Sequence, residues 1–148
     1  MTKTINDEYF RKPSIDEIQG LLKDMNVPHL NIPITFLRNN TELNSKEKMC
    51  YMMLRTFALD STSCFPSLKT LMGCLGWSKP TVTNTIASLE EKNYLVKLEQ
   101  YQEGSERQMN NLYVLAKIDE NTGVKSQSSL EPALKAKELC GGRGVVTK

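Results

Sequence analysis

The sequence predicts an α+β chain: a three-helix core and a two-stranded hairpin, with an extra N-terminal helix ahead and a flexible C-terminal tail behind. Three observations predict it. Within residues 64–95, two short segments with one apolar face each flank Gly76-Trp77-Ser78, the pattern of two helices joined by a tight turn. Residues 95–101 and 112–118 are rich in Val, Leu and Tyr and enclose a polar, glycine-containing stretch, as two strands and their loop do. After Ile118 no periodic apolar pattern continues.

Taken in order, residues 1–12 read as a polar arm. Ser14 and Glu17 stand as N-cap and N3 of a capping box, opening a helix with Ile15, Ile18, Leu21, Leu22 and Met25 on one side, and Pro28 ends it. Residues 26–42 read as an irregular connection broken by Pro33 and Asn39-Asn40, with Ile32, Ile34, Phe36 and Leu37 packing on the domain. Asn44 to Ala58 is the first core helix, its apolar face supplied by Met49, Met52, Met53, Leu54 and Phe57. Residues 60–63 are a loop.

The next helix is capped by Ser67, carries Leu68, Leu71, Met72 and Leu75 on one face, and stops at Gly76, where a left-handed residue is wanted. Ser78 caps the third helix, and Pro80 sits in its first turn, where no helical hydrogen bond is lost. Val82, Ile86 and Leu89 recur at i, i+4 and i+7, so that face is buried; Thr81, Asn84 and Ser88 form the opposite, polar face. The division is then 1–42 for arm, helix and connection, 43–118 for the domain, and 119–148 for a mostly disordered tail not needed for the fold, with a short helix allowed over 131–140.

Composition narrows the function. At 148 residues one domain with tails is expected, and a net charge of +2 excludes a broad polybasic surface. Cys50, Cys64, Cys74 and Cys140 lack zinc-ligand spacing, and Cys50 and Cys74 read as small core fillers. No leader and no apolar run of membrane-spanning length is visible, so a reduced, cytoplasmic protein that does not enter membranes is expected. The single histidine, His29, lies in a connection. Glu90-Glu91 and Asp119-Glu120 are adjacent pairs whose side chains diverge, and both pairs read as solvated. Gly73 and Gly76 belong to a helix end, so no phosphate loop is present. No catalytic residues, metal ligands or cofactor are expected, and the chain does not read as an enzyme.

One regional absence points to a partner. From Ser61 through Leu89 there is no Asp or Glu, although the chain has 17, and Lys69 and Lys79 are the charges of that stretch. A surface that meets phosphates excludes carboxylates, which would repel the nucleic-acid backbone. A helix held by its apolar back with a small polar front suits a major groove.

The same stretch resembles the winged helix-turn-helix domain at the front of phage replisome organisers and plasmid replication initiators. The matching pieces are Leu43-Asn44-Ser45, Phe65-Pro66-Ser67, Leu71 to Leu75, Gly76-Trp77-Ser78, Thr81-Val82 and Leu89-Glu90-Glu91, and the likeness spans roughly residues 43–117. The chain departs from that family in Met72, in Asn93 where glycine is usual, and in Lys79-Pro80 where arginine is frequent. The resemblance implies a winged helix-turn-helix fold, double-stranded DNA as partner, and a role in replication initiation of a plasmid, phage or mobile element with other replication proteins.

The expected DNA-binding residues are Lys69, Ser78, Lys79, Pro80, Thr81, Thr83, Asn84 and Ser88, with Arg107 at the hairpin tip between Glu103 and Glu106. Ser78 and Lys79 would hold phosphate at a helix N-terminus, Lys69 would hold it from the preceding helix, and Thr81, Asn84 and Ser88 would face base edges. Without an outward arginine the site is expected to be biased to A·T pairs. Lys97 and Lys117 on the strands are expected to face solvent, with phosphate contact as the alternative. Trp77 either closes the core or stacks on a sugar. One recognition helix reads few base pairs, so a homodimer through the N-terminal helix is expected. Two other readings use the same residues: a transcription regulator with the same contacts, and an interaction module that binds protein and not DNA.

Overall fold

The computed structural model describes residues 12, 14–23, 29–59, 61–102, 108–126, 129–139 and 145–147. Its elements are α1 (Ile15–Lys23), α2 (Ile34–Arg38), α3 (Ser45–Ala58), β1 (Ser63–Cys64), α4 (Leu68–Leu75), α5 (Lys79–Glu91), β2 (Leu95–Gln102), β3 (Gln108–Leu115), α6 (Glu131–Leu139) and β4 (Val145–Thr147). The fold is α+β: helices α3, α4 and α5 form the core, and β2 and β3 are the antiparallel strands of the wing.

Local chemistry sets the helix ends. Asn44 caps α3 in a full capping box: its Oδ1 accepts from the Glu47 N–H at 2.8 Å, and Glu47 Oε1 accepts from the Asn44 N–H at 2.8 Å. Ser67 accepts from the Thr70 N–H at 3.0 Å, and α4 ends at Gly76 with φ 70°. Ser78 caps α5, which has Pro80 in its first turn. Asn93 stands at φ 63°, with its N–H on the Glu90 carbonyl and the Tyr94 N–H on the Leu89 carbonyl at 2.9 Å. These two bonds make a Schellman ending with asparagine in the glycine position, and they aim the chain from α5 into β2.

Leu54, Leu71, Val82, Leu89, Leu95 and Leu115 are buried together beneath the three helices. Phe36 of α2 is fully buried against Tyr51, ring centroids 5.1 Å apart, and Tyr51 meets the edge of Tyr94. The connection of residues 26–42, expected to be irregular, thus contains a short helix that closes one side of the core. The buried side of α3 is Glu47, Cys50, Tyr51, Leu54 and Ala58. It is turned from the expected methionine face: Met52 and Met53 are half-buried, while Met49 and Phe57 are exposed. Cys50 is a core filler whose burial pushes its thiol up to about 12, whereas Cys74 is exposed, contrary to expectation.

The sheet is larger than the expected pair of strands. Its order is β1-β3-β2-β4, with β1 antiparallel to β3 and β4 parallel to β2. The second wing strand starts earlier and ends earlier than the sequence suggested, and the register of β2 on β3 shifts between Leu98 and Gln100. Side-chain alternation gives the sheet two apolar faces. Leu95, Tyr113 and Leu115 join the helical core, while Val96, Leu98 and Ala116 pack against Leu130 and Ala133 at the start of α6.

Part of the expected tail is therefore built into the domain. Ile118 and Lys125 form a bridge closed by Asp119, whose carboxylate accepts from the Asn121 and Thr122 N–H groups at 2.8 and 3.0 Å. Buried Asn40 donates to the Gly123 carbonyl at 2.9 Å and to the Tyr94 hydroxyl at 3.0 Å, and its oxygen accepts from the Glu42 and Leu43 N–H groups. Lys125 lies over the Tyr94 ring, 5.0 Å from its centroid. The helix allowed by the sequence over 131–140 is α6.

At the other end, Ser14 accepts from the Glu17 N–H at 3.1 Å, as a helix start requires. Ile15 and Ile18 of α1 are 74 % and 41 % exposed, so this part of the apolar stripe is not spent on the core. Met25 and the arm of residues 1–11 lie outside the described residues.

Candidate nucleic-acid interface

Helices α4 and α5 stand on either side of the Gly76-Trp77-Ser78 turn. On α5, Val82, Thr85, Ile86 and Leu89 are buried. With 3.6 residues per turn, the outward stripe is then Pro80, Asn84, Ala87 and Glu91, all exposed. Thr83 borders it, half-buried, its hydroxyl donating to the Lys79 and Pro80 carbonyls at 3.1 and 3.2 Å. Lys79 and Ser78 are exposed at the helix start, where no acid stands in the first turn and the helix dipole favours an anion. Thr81 is half-buried, its hydroxyl 3.0 Å from that of Ser78 in the helix cap. Lys69 and Thr70 are exposed in the first turn of α4.

Lys69, Ser78, Lys79, Pro80 and Asn84 are each exposed. Ser88 lies to one side of the outward stripe and is half-buried. The Ser88 hydroxyl donates to Glu47 Oε2 of α3, and Lys92, one turn further along, pairs with Glu47 Oε1 at 2.7 Å. Ser88, expected to face a base edge, is here a half-buried contact between helices. Arg107, Glu103 and Glu106 lie outside the described residues.

Glu90 is likewise not a free acid. It accepts from the Lys97 N–H at 2.9 Å and pairs with Lys137 of α6 at 3.0 Å. Lys97 is half-buried, Lys117 is exposed, and Trp77 packs on the core from the turn. Two features of the surface were not anticipated. Glu91 places an acid at the far end of the outward stripe, which limits that face to the first three turns of α5. Asn110 of β3 donates to the Phe65 carbonyl at 3.3 Å and, with Asn111, Met109, Pro66 and Ser67, lines an open groove of about 330 Å3 between the wing and the start of α4. Alternation along a strand could have pointed to Asn110 as an exposed polar residue, but not to its contact with Phe65.

Among the described residues no group of His, Cys, Asp and Glu side chains could hold a metal ion, and no helix is long and apolar enough to cross a membrane.

Residues 41–95 match the family described as a helix-turn-helix domain. The protein carries a winged helix-turn-helix. The match covers the whole of α3, α4 and α5 and stops as β2 begins, so the wing lies beyond it. No curated protein matches the chain. Among solved structures, this winged helix-turn-helix chain is similar to one titled "N-Terminal domain of DNA binding protein", at 18 % identity over 81 % of this chain and 92 % of that one, with a TM-score of 0.47. It is also similar to "Structure of Rep-DNA complex", at 19 % identity over 82 % and 92 %, TM-score 0.47. A third, "Structure of MDR initiator", shares 16 % identity over 86 % and 98 %, TM-score 0.44.

Proposed function

We propose that this protein binds double-stranded DNA with sequence preference, α5 lying in a major groove, and that it acts in replication initiation of a plasmid, phage or other mobile element. The observation that carries the DNA reading is the outer surface of α4 and α5: Lys69, Ser78, Lys79, Pro80, Asn84 and Ala87 are all exposed, and no acid interrupts them. Lys69, Ser78 and Lys79 hold phosphates and position the helix; Asn84 reads, with Thr83, Pro80 and Ala87 offering carbon surface to thymine methyls. Thr81 supports the cap. Arg107 from the wing tip reaches the adjacent minor groove. The replication role rests on the resemblance of residues 43–117 to initiator and replisome-organiser domains. The protein works as a homodimer on repeated or palindromic half-sites, joined through α1, whose exposed Ile15 and Ile18 supply the apolar contact.

Selection of bound sequences from random duplex DNA, followed by titration at several salt concentrations, tests the reading. The expected result is an A·T-biased motif bound far more tightly than unrelated duplex, with affinity falling as salt rises. Equal binding of all duplexes, or none at low salt, overturns it. Sedimentation of the protein alone and on its best site tests the dimer; a monomer in both conditions refutes it.

A further inference from the structure

Glu47 is the one charged residue in the core among the described residues, 2 % exposed, and both of its oxygens are used. Oε1 accepts from the Asn44 N–H of its own helix cap at 2.8 Å and from Lys92 Nζ at 2.7 Å. Oε2 accepts from the Ser88 hydroxyl. One oxygen would suffice to cap α3; the second is committed to α5, 41 residues away in sequence. Burial pushes this carboxyl up, but the hydrogen bonds from Lys92, Ser88 and the Asn44 N–H outweigh it and hold the group below the usual carboxylate range, so it stays ionised. Charge-assisted bonds of this kind are strong and directional.

Ser88 and Lys92 lie one turn apart on one flank of α5. Glu90 lies on the opposite flank, held by the Lys97 N–H at 2.9 Å and by Lys137 at 3.0 Å. The helix is therefore gripped by polar contacts on both sides, between a buried apolar back and the outward stripe of Pro80, Asn84 and Ala87. Apolar packing alone is tolerant of roll, because it has no direction. A helix with side chains is about 10–12 Å across, so a roll of roughly 20° would carry the end of Asn84 by about 2 Å. Hydrogen bonds to a base edge require about 2.7–3.2 Å between heavy atoms, so a shift of that size breaks them.

We propose that Glu47 is a positioning residue for base readout: by holding Ser88 and Lys92 it fixes the roll of α5 and so the aim of Asn84. The inference deepens the DNA-binding reading of this same helix and rests on it. Glu47 touches no base itself. Its loss is expected to blur sequence discrimination while leaving phosphate contacts by Lys69 and Lys79 intact.

The test uses the full chain and three duplexes: the best selected site, the same site with one base pair changed at the position Asn84 reads, and an unrelated sequence. Glu47→Gln and Ser88→Ala are titrated against all three beside the parent. The expected result is a fall of at least about fivefold in discrimination between the first two duplexes, with affinity for the unrelated one and its salt dependence unchanged. A merely structural role would instead weaken all three in parallel with the folded fraction. In the absence of DNA, residual dipolar couplings along α5, whose periodic phase reports helix roll, are expected to shift in Glu47→Gln. If that variant does not fold, Ser88→Ala, which keeps the α3 cap, decides the question. Parent-like discrimination and an unshifted phase overturn this proposal alone. A parent that treats the three duplexes alike overturns the DNA reading and this inference with it.

Discussion

Gly123 lies so close to Thr35 that a Cβ at position 123 would stand 2.2 Å from the Thr35 carbonyl oxygen. The glycine is buried at φ 76°, so a side chain would be strained by the backbone conformation as well as by the clash. The neighbouring Thr35 hydroxyl donates to the Glu120 carbonyl at 2.7 Å, which pins the turn of residues 119–123 to α2. Gly123→Ala is expected to cost about 2–4 kcal/mol by combining αL strain with overpacking. Urea unfolding measures it, as a lower midpoint at unchanged slope; a loss under 1 kcal/mol, roughly the size of an ordinary surface substitution, would show that the turn can lift from α2.

The same contacts bear on the expectation that residues after Ile118 are dispensable. A 1–118 fragment loses the Asn40 partner on Gly123, the Lys125 contact with Tyr94 and the cover that Leu130 gives Val96 and Leu98. Its melting temperature is expected to fall well below that of the full chain. Leu130→Ala isolates one part of this and should cost about 2–4 kcal/mol, since Leu130 is 5 % exposed. Thermal unfolding by circular dichroism checks both, and a fragment that melts with the full chain would refute them.

What the sequence disclosed and what it hid divide along sequence distance. Ser67, Gly76, Ser78 and Asn93 were legible because caps and left-handed endings are set within four or five residues. The buried face of α5 was legible because Val82, Ile86 and Leu89 repeat without interruption. The α3 face was misjudged because its buried members include Glu47, which no count of apolar residues can admit, while Met49 and Phe57 point outward. Ser88 carried no mark that its partner would be Glu47. The strand β1 is two residues long and exists through pairing with Val114 and Tyr113. The place of α6 rests on Leu130 and Ala133, too few apolar residues to announce a docked helix.

On α5 the contributions of reading and of charge are expected to separate. Asn84→Ala should cost about 1–3 kcal/mol on the best site and relax preference at one position, because an asparagine pairs bidentately with adenine. Lys79→Ala should weaken all duplexes alike and lower the slope of log affinity against log salt by about one unit. Titrations of both variants at a series of salt concentrations distinguish the two patterns. A G·C-rich site, or an Asn84 variant that discriminates as the parent does, would refute Asn84 as the reader.

Acid stability offers a check on Glu47 that needs no DNA. Its folded pKa lies below the ordinary glutamate value of 4.5, the bonds from Lys92, Ser88 and the Asn44 N–H prevailing over burial. A group depressed on folding stabilises fully above its unfolded pKa, and that stabilisation is lost as pH falls through the folded value. Glu47→Gln keeps the shape and removes the charge, so at neutral pH it is expected to cost about 2 kcal/mol. As pH falls below 4.5 the parent loses what the variant never had, and the two unfolding curves converge. Asp119 is also held low, by the Thr122 and Asn121 N–H groups, so the parent has a second source of acid sensitivity. That source is common to both proteins and cancels in the difference. Melting temperatures of parent and variant, measured from pH 7 down to about pH 3, provide the test. A constant gap across that range would mean that Glu47 is not bound as an ionised carboxylate between α3 and α5.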